Sequence, residues 1–214
     1  MKYPVVLFDF DGTLLYTVPD LADAVNHALA KYGYPTHDYP TIQSFVGNGV
    51  RLLVSRALPG GEENPDMERV FAAFGEYYDV HCMDKTAPYG GIMEMLRALS
   101  EKGVKMAIVT NKYQTAAEEL RQRFFGEYIP IIEGDVASRR RKPDPAPVHA
   151  ALKALGAEGE RAVYIGDTEV DMRTALNSGL DFIAVGWGYR TVEQLEALGI
   201  DKIALKPMDV LGLI

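Results

Sequence analysis

Tyr3-Pro4-Val5-Val6-Leu7-Phe8-Asp9-Phe10-Asp11-Gly12-Thr13-Leu14 decides the fold, because an apolar run ends there in two carboxylates and a glycine turn. Pro4 to Phe8 shows no polar alternation, the pattern of a parallel strand covered on both faces. Ligands of open parallel sheets bind outside the carboxyl ends of the strands, so Asp9 and Asp11 stand where chemistry is usually placed. Their i, i+2 spacing aims both carboxylates the same way if the strand continues, whereas a break at Gly12 lets Asp11 turn. Two acids held this close repel unless a cation intervenes, and a magnesium-sized, oxygen-loving ion is the natural partner. Asp-x-Asp-Gly is also the composition of a solvated turn, so the rest of the chain has to decide.

A chain of 214 residues suits one domain, or one domain carrying an insertion, and 48% hydrophobic residues are ample for a core. The formal charge of -8 argues against a general nucleic-acid binder, which needs clustered Lys and Arg. One cysteine, Cys82, makes no internal disulfide, and the acids at 9 and 11 interrupt any signal peptide. No apolar run approaches the roughly 20 residues that span a bilayer. The expected location is cytoplasmic, with no membrane and no nucleic-acid partner.

Beyond Leu14, apolar residues recur at helical spacing from Leu21 to Tyr32, with shorter helices over Ile42 to Val46 and Val50 to Leu58, and a fourth from Met67 to Tyr78 capped by Asp66. Nothing between Leu15 and Asp84 reads as a strand. After the Pro88-Tyr89-Gly90-Gly91 loop the pattern alternates. Strands are expected at Val104 to Thr110, Ile129 to Ile132, Ala162 to Ile165 and Phe182 to Val185, and helices at Ile92 to Lys102, Gln114 to Phe124, Pro145 to Leu155, Val170 to Asn177 and Val192 to Leu198. Such alternation predicts an α/β protein with right-handed crossovers and a doubly wound parallel sheet.

Three later stretches carry chemistry. Thr110-Asn111 closes the apolar run Met106 to Val109 ahead of a helix, so a hydroxyl and nearby N–H groups could hold a phosphate there, or Thr110 simply caps the helix. Arg139-Arg140-Arg141-Lys142-Pro143-Asp144-Pro145 is the one dense basic run, read as an exposed cluster that raises the local concentration of anions. Val163-Tyr164-Ile165-Gly166-Asp167-Thr168-Glu169-Val170-Asp171 repeats the logic of the opening, with Asp167 and Asp171 one helical turn apart and Glu169 favoured by the helix dipole. His27, His37, His81 and His149 lack ligand spacing.

Taken in order, Asp9 to Leu14, Thr110-Asn111, Lys142-Pro143-x-Pro145 and Gly166 to Asp171 resemble the four motifs of the haloacid dehalogenase superfamily of phosphotransferases, over a span from Tyr3 to about Arg190. The resemblance implies a Rossmann-like catalytic core of residues 1–14 plus 86–214 and a helical cap at 15–85. It makes Asp9 the nucleophile, Asp11 the general acid, Thr110 a phosphate holder and Lys142 the cation that neutralises the transferring group. A magnesium ion would be bound by Asp9, Asp11, Asp167 and Asp171, the last directly or through water. Gly12, Thr13 and Asn111 in the core, with Gly47, Asn48, Gly49 and Arg51 in the cap, are expected at the substrate, Arg51 on a carboxylate. Asn111-Lys112, Phe45 to Leu58 and Gly186-Trp187-Gly188-Tyr189-Arg190 resemble the phosphoglycolate phosphatase-like branch, although an aromatic at 187 also suits the edge of a domain. Tyr16-Thr17 departs from the family, which commonly has an acid at the first of these positions. The expectation is hydrolysis of a small phosphorylated metabolite, phosphoglycolate favoured, by a monomer or homodimer. The alternatives are a phosphomutase similar to β-phosphoglucomutase, a sugar phosphatase or a pyrophosphatase.

Overall fold

The computed structural model describes residues 2–47 and 49–214, which divide into two compact units, 2–15 with 88–214 and the described part of 16–87. The larger unit is built on a six-stranded, wholly parallel sheet. Its strands are β1 (Val5–Phe8), β4 (Lys105–Tyr113), β5 (Ile131–Asp135), β6 (Ala162–Gly166), β7 (Asp181–Val185) and β8 (Ile203–Ala204), in the spatial order β5-β4-β1-β6-β7-β8. Two short strands, β2 (Leu15–Tyr16) and β3 (Ala87–Pro88), lie where the chain leaves this unit and returns to it, and they pair as a separate two-stranded sheet.

Counted among the six core strands, the order is third, second, first, fourth, fifth, sixth, which places the reversal of winding at β1. Val5 to Phe8 are all 0% exposed, as a strand covered on both faces requires. Val5 and Leu7 pack on one face with Ala107, Val109 and Tyr164 and with Val148 and Ala151 of α7 (Ala146–Ala154) and Ala175 of α8 (Glu169–Asn177). Each large side chain buried here contributes about 1.5–3 kcal/mol. Phe8 is level with Ile108 on β4 and Ile165 on β6. The residues that follow on all three strands therefore leave the sheet side by side.

The remaining core helices are α5 (Ile92–Glu101), α6 (Gln114–Phe125), α9 (Val192–Ala197) and α10 (Val210–Leu213). β2, β3 and β8 fall where no strand was expected, β3 within the stretch read as a loop; each is only two residues long, too short to show a period. β4 runs three residues past Thr110 because an irregularity between Val109 and Tyr113 lets it continue beside β5.

The smaller unit is helical, with α1 (Val18–Lys31), α2 (Tyr39–Phe45), α3 (Val50–Ala57) and α4 (Met67–His81). Leu21, Ala24, Val25, Ala28 and Leu29 of α1 and Val70, Ala73, Phe74 and Tyr78 of α4 are buried, matching their helical spacing. Asp66 precedes α4 but does not cap it with its side chain, since its carboxylate is taken by Arg69 and the Tyr34 hydroxyl at 2.8 and 3.0 Å. Asp20, fully buried, accepts from the N–H groups of Lys85 and Thr86 at 3.0 and 2.8 Å and so fixes the returning segment to α1. Among the described residues no helix is long and apolar enough to cross a membrane.

Candidate active site

Asp9 follows the last residue of β1, and its N–H donates to the Ile165 carbonyl at 2.8 Å, so the first acid is locked beside β6. β6 ends in Gly166 and continues into Asp167, and Asp171 stands in the first turn of α8. One oxygen from each of Asp9, Asp167 and Asp171 lies within 4.8 Å of the others, and all three residues are buried. A like pair at that distance repels by roughly 3–4 kcal/mol at an effective dielectric of about 20.

Lys142 is the counter-charge. Its Nζ sits 2.6 Å from Asp9, 2.8 Å from Asp171 and 3.1 Å from the Tyr164 hydroxyl, which uses all three ammonium donors. The Tyr164 hydroxyl in turn donates to the Val109 carbonyl at 2.8 Å. The second oxygen of Asp171 accepts from the Thr168 N–H and hydroxyl at 3.0 and 2.7 Å, a capping box that opens α8 and leaves the first oxygen for Lys142. Asp167 accepts from the Thr13 hydroxyl at 3.1 Å and the Tyr189 N–H at 2.7 Å. Gly12 makes this closeness possible: its φ is +90°, and a Cβ there would stand 2.5 Å from Asp167 Oδ2 and 2.8 Å from the Tyr189 ring.

Three buried carboxylates thus face one ammonium. Burial, and then the charge of Asp171, pushes Asp167 up to about 7 and raises Asp9 well above the usual carboxylate range, although Lys142 opposes the second shift. Burial works against the Lys142 ammonium as well, but Asp171 and Asp9 outweigh it and hold its pKa well above the ordinary lysine value. An excess of buried negative charge presented by oxygen donors fits a hard divalent cation.

A stability consequence follows from the sign of these shifts. Asp167 ionises near 3.8 when unfolded and near 7 in the folded chain, so between those values the folded state binds more protons and stability falls as pH rises. Lys142 is protonated in both states throughout that window and contributes no slope there. The metal-free protein is therefore expected to lose stability between about pH 4 and pH 7, by on the order of 4 kcal/mol from Asp167 with Asp9 adding in the same direction, and millimolar divalent cation should restore it. Thermal unfolding followed with and without the cation checks this; a flat profile in chelator would contradict the charge excess.

The Asp11 carboxylate is not one of the three. It pairs with Lys112 Nζ at 3.0 Å, with both side chains largely buried. Thr110 is buried at the end of the straight part of β4, where its hydroxyl accepts the Lys112 N–H at 3.1 Å; it is no helix cap, because α6 begins at Gln114. The Asn111 side chain donates to the Lys142 carbonyl at 3.1 Å and ties the end of β4 to the basic loop. Arg140 is exposed as expected, but Arg139 is not, since its guanidinium is engaged by Glu133 and the Gly134 carbonyl. Trp187 is half-buried and donates to the Thr13 carbonyl at 2.9 Å, so the indole pins the first motif.

In the helical unit, Gly47 and Gly49 have φ of 119° and 87° ahead of α3. Asn48 lies outside the described residues. Arg51 holds Glu62 and Glu68 at 2.8 and 2.7 Å, so within this unit its guanidinium is already on two carboxylates.

Tyr164, Thr168, Lys112 and Tyr189 belong to the site without having been singled out for these roles. The one signal for Tyr164 is a phenol inside an otherwise apolar strand, which needs a partner when buried.

Residues 6–185 match the haloacid dehalogenase-like hydrolases. The chain belongs to that family. It is 38% identical over 192 residues to the phosphoglycolate phosphatase of Cereibacter sphaeroides, covering 87% of each chain. It is 32% identical over 216 residues to the N-acetylmuramic acid 6-phosphate phosphatase of Pseudomonas aeruginosa, covering 100% of this chain and 96% of that one. A crystal structure from Lactobacillus delbrueckii subsp. bulgaricus, described provisionally as a phosphoglycolate phosphatase, superposes with a TM-score of 0.92 at 33% identity, covering 98% of this chain and 97% of the other.

Proposed function

We propose that this protein is a magnesium-dependent phosphatase that hydrolyses a small phosphate monoester through an aspartyl phosphate on Asp9, with phosphoglycolate the favoured substrate. The observation that carries the reading is the buried group of Asp9, Asp167 and Asp171 around a single ammonium, with a further acid, Asp11, two residues from the first. A carboxylate nucleophile needs no activating base, but it is an anion approaching an anion. Asp9 and Asp167, with Asp171 behind them, would hold the magnesium ion, which would supply positive charge for that approach.

The residues of this chain then divide the work. Asp9 attacks phosphorus, the bond from phosphorus to the leaving oxygen breaks, and Asp11 gives its proton to that oxygen. Water next attacks the phosphoryl group on Asp9 with Asp11 taking a proton, the Asp9–phosphorus bond breaks, and orthophosphate leaves. Lys142, 2.6 Å from Asp9, holds it in line and offsets charge on the transferring group, and the Thr110 hydroxyl donates to a phosphoryl oxygen.

Phosphoglycolate is favoured by the relative from Cereibacter sphaeroides, while the Pseudomonas aeruginosa relative supports a sugar phosphate as the second reading. The test is kcat/KM across phosphoglycolate, N-acetylmuramic acid 6-phosphate, other sugar phosphates and pyrophosphate, with magnesium and with excess chelator. Phosphoglycolate leading by tenfold or more, and activity lost reversibly in chelator, is the expected result. A lasting phosphoenzyme that returns its phosphoryl group to a sugar would favour a phosphomutase instead.

A further inference from the structure

We propose, resting on the phosphatase reading, that Lys112 recognises a carboxylate on the leaving group, which makes the phosphate esters of 2-hydroxy acids the substrate class of this core. Lys112 is firmly placed by its backbone. Its N–H donates to the Thr110 hydroxyl at 3.1 Å, and its carbonyl abuts Gly134, where a Cβ would stand 2.8 Å away. Gln114 accepts from the Gly134 N–H at 2.5 Å and donates to the Ile132 carbonyl at 3.2 Å, so the irregular end of β4 is stitched to β5 on either side of it. A lysine on so rigid a backbone, with its side chain 7% exposed, presents its ammonium at one place, 3.0 Å from Asp11 Oδ1.

That place is beside the leaving group. The oxygen that Asp11 protonates lies one hydrogen bond from its carboxyl, about 2.7 Å, so with the proton given from Oδ1 it falls within roughly 6 Å of Lys112 Nζ. In the phosphate ester of a 2-hydroxy acid, the carboxylate carbon is only two bonds from that oxygen. Its oxygens therefore reach the ammonium, whereas a carboxylate many bonds from phosphorus, as in a sugar 6-phosphate with a distant acidic substituent, does not.

Four other cations are held elsewhere. Lys142 has its three donors on Asp9, Asp171 and Tyr164, Arg190 is held by Glu169 at 3.0 Å, and Arg139 by Glu133 and Gly134. In the helical unit, Arg51 is held by Glu62 and Glu68. Among the described residues, Lys112 is the cation paired with the carboxylate assigned to the leaving oxygen, so a substrate carboxylate shares or replaces the contact with Asp11.

The experiment compares phosphoglycolate with propyl phosphate, of similar length but lacking the carboxylate, in wild type, Lys112→Met and Lys112→Arg with saturating magnesium. Lys112→Met should lower the ratio of the two kcat/KM values by about 10-fold to 100-fold, the scale of one charge-assisted contact, and Lys112→Arg should recover part of it. The ratio cancels any loss through Asp11 that both substrates share. A ratio unchanged within twofold would overturn the proposal and leave Lys112 a support for Asp11. Calorimetry on the wild type with magnesium gives a second reading that requires neither turnover nor a variant that folds. 3-Phosphonopropionate should bind at least tenfold tighter than propylphosphonate, and equal affinities would also overturn it. A wild type that turns over no phosphate ester yet shows that binding preference, lost in Lys112→Met, would remove the phosphatase reading and keep this one.

Discussion

Asp9→Asn is expected to cut phosphate-ester turnover by about 10⁴-fold or more while making the metal-free core more stable above pH 7. The first half follows from chemistry: an amide oxygen is too weak a nucleophile to take a phosphoryl group, and no neighbouring group can replace it at the end of β1. The second half follows from charge. Asp9 is raised well above its ordinary value chiefly by burial and then by Asp171, so its ionisation costs folding free energy at every pH above the unfolded pKa. Replacing it leaves two acids facing Lys142 where there were three, and the asparagine oxygen still accepts the ammonium 2.6 Å away in the native chain. Turnover of phosphoglycolate and the thermal midpoint in chelator at pH 8 read the two halves independently. Near-native turnover in a folded Asp9→Asn protein would end the covalent mechanism, and a lower midpoint would show that Asp9 holds the core together rather than straining it.

The opposite signs of those two effects explain which parts of the site were readable in the sequence. β1 was legible because its burial on both faces demands an unbroken apolar run, and Asp9 because a charge ending such a run has no packing reason to be there. Asp167 was legible for the same reason at the end of β6. Partnership was not legible. Lys142 and Tyr164 are 22 residues apart and meet because α7, which the Lys142 loop leads into, packs in one core with Tyr164 of β6, while Lys112 reaches Asp11 across 101 residues. The capping box between Thr168 and Asp171 is local and follows a known spacing, yet an acid in a first helical turn reads as a dipole partner until Lys142 is seen on its other oxygen. Asp20 is the clearest loss. Nothing in Pro19-Asp20 distinguishes a first-turn acid from one that is fully buried and bound to the backbone of residues 85 and 86.

Lys142→Met should have the second large effect, and here activity and stability fall together. Methionine matches the length of the lysine stem but carries no charge, so Asp9, Asp167 and Asp171 are left within 4.8 Å of one another with no cation from the chain. Breaking a buried pair in this way costs about 3–5 kcal/mol. For a protein of this size that corresponds to a midpoint lower by on the order of 10 °C. The deficit should depend on pH in a definite direction. With the ammonium gone, the folded-state carboxyl groups of Asp9 and Asp167 rise further above their unfolded values, so the penalty is small near pH 4 and grows as pH increases toward 8. Divalent cation should recover part of the loss in stability but not the rate, because the charge it brings cannot replace the hydrogen bond that holds Asp9 in line, and turnover should stay at least about 10³-fold down. The decisive comparison is the difference in midpoint between wild type and Lys142→Met measured in chelator at pH 5 and at pH 8. An equal difference at both would mean that Lys142 contributes packing alone, and the electrostatic account of the site would have to be abandoned.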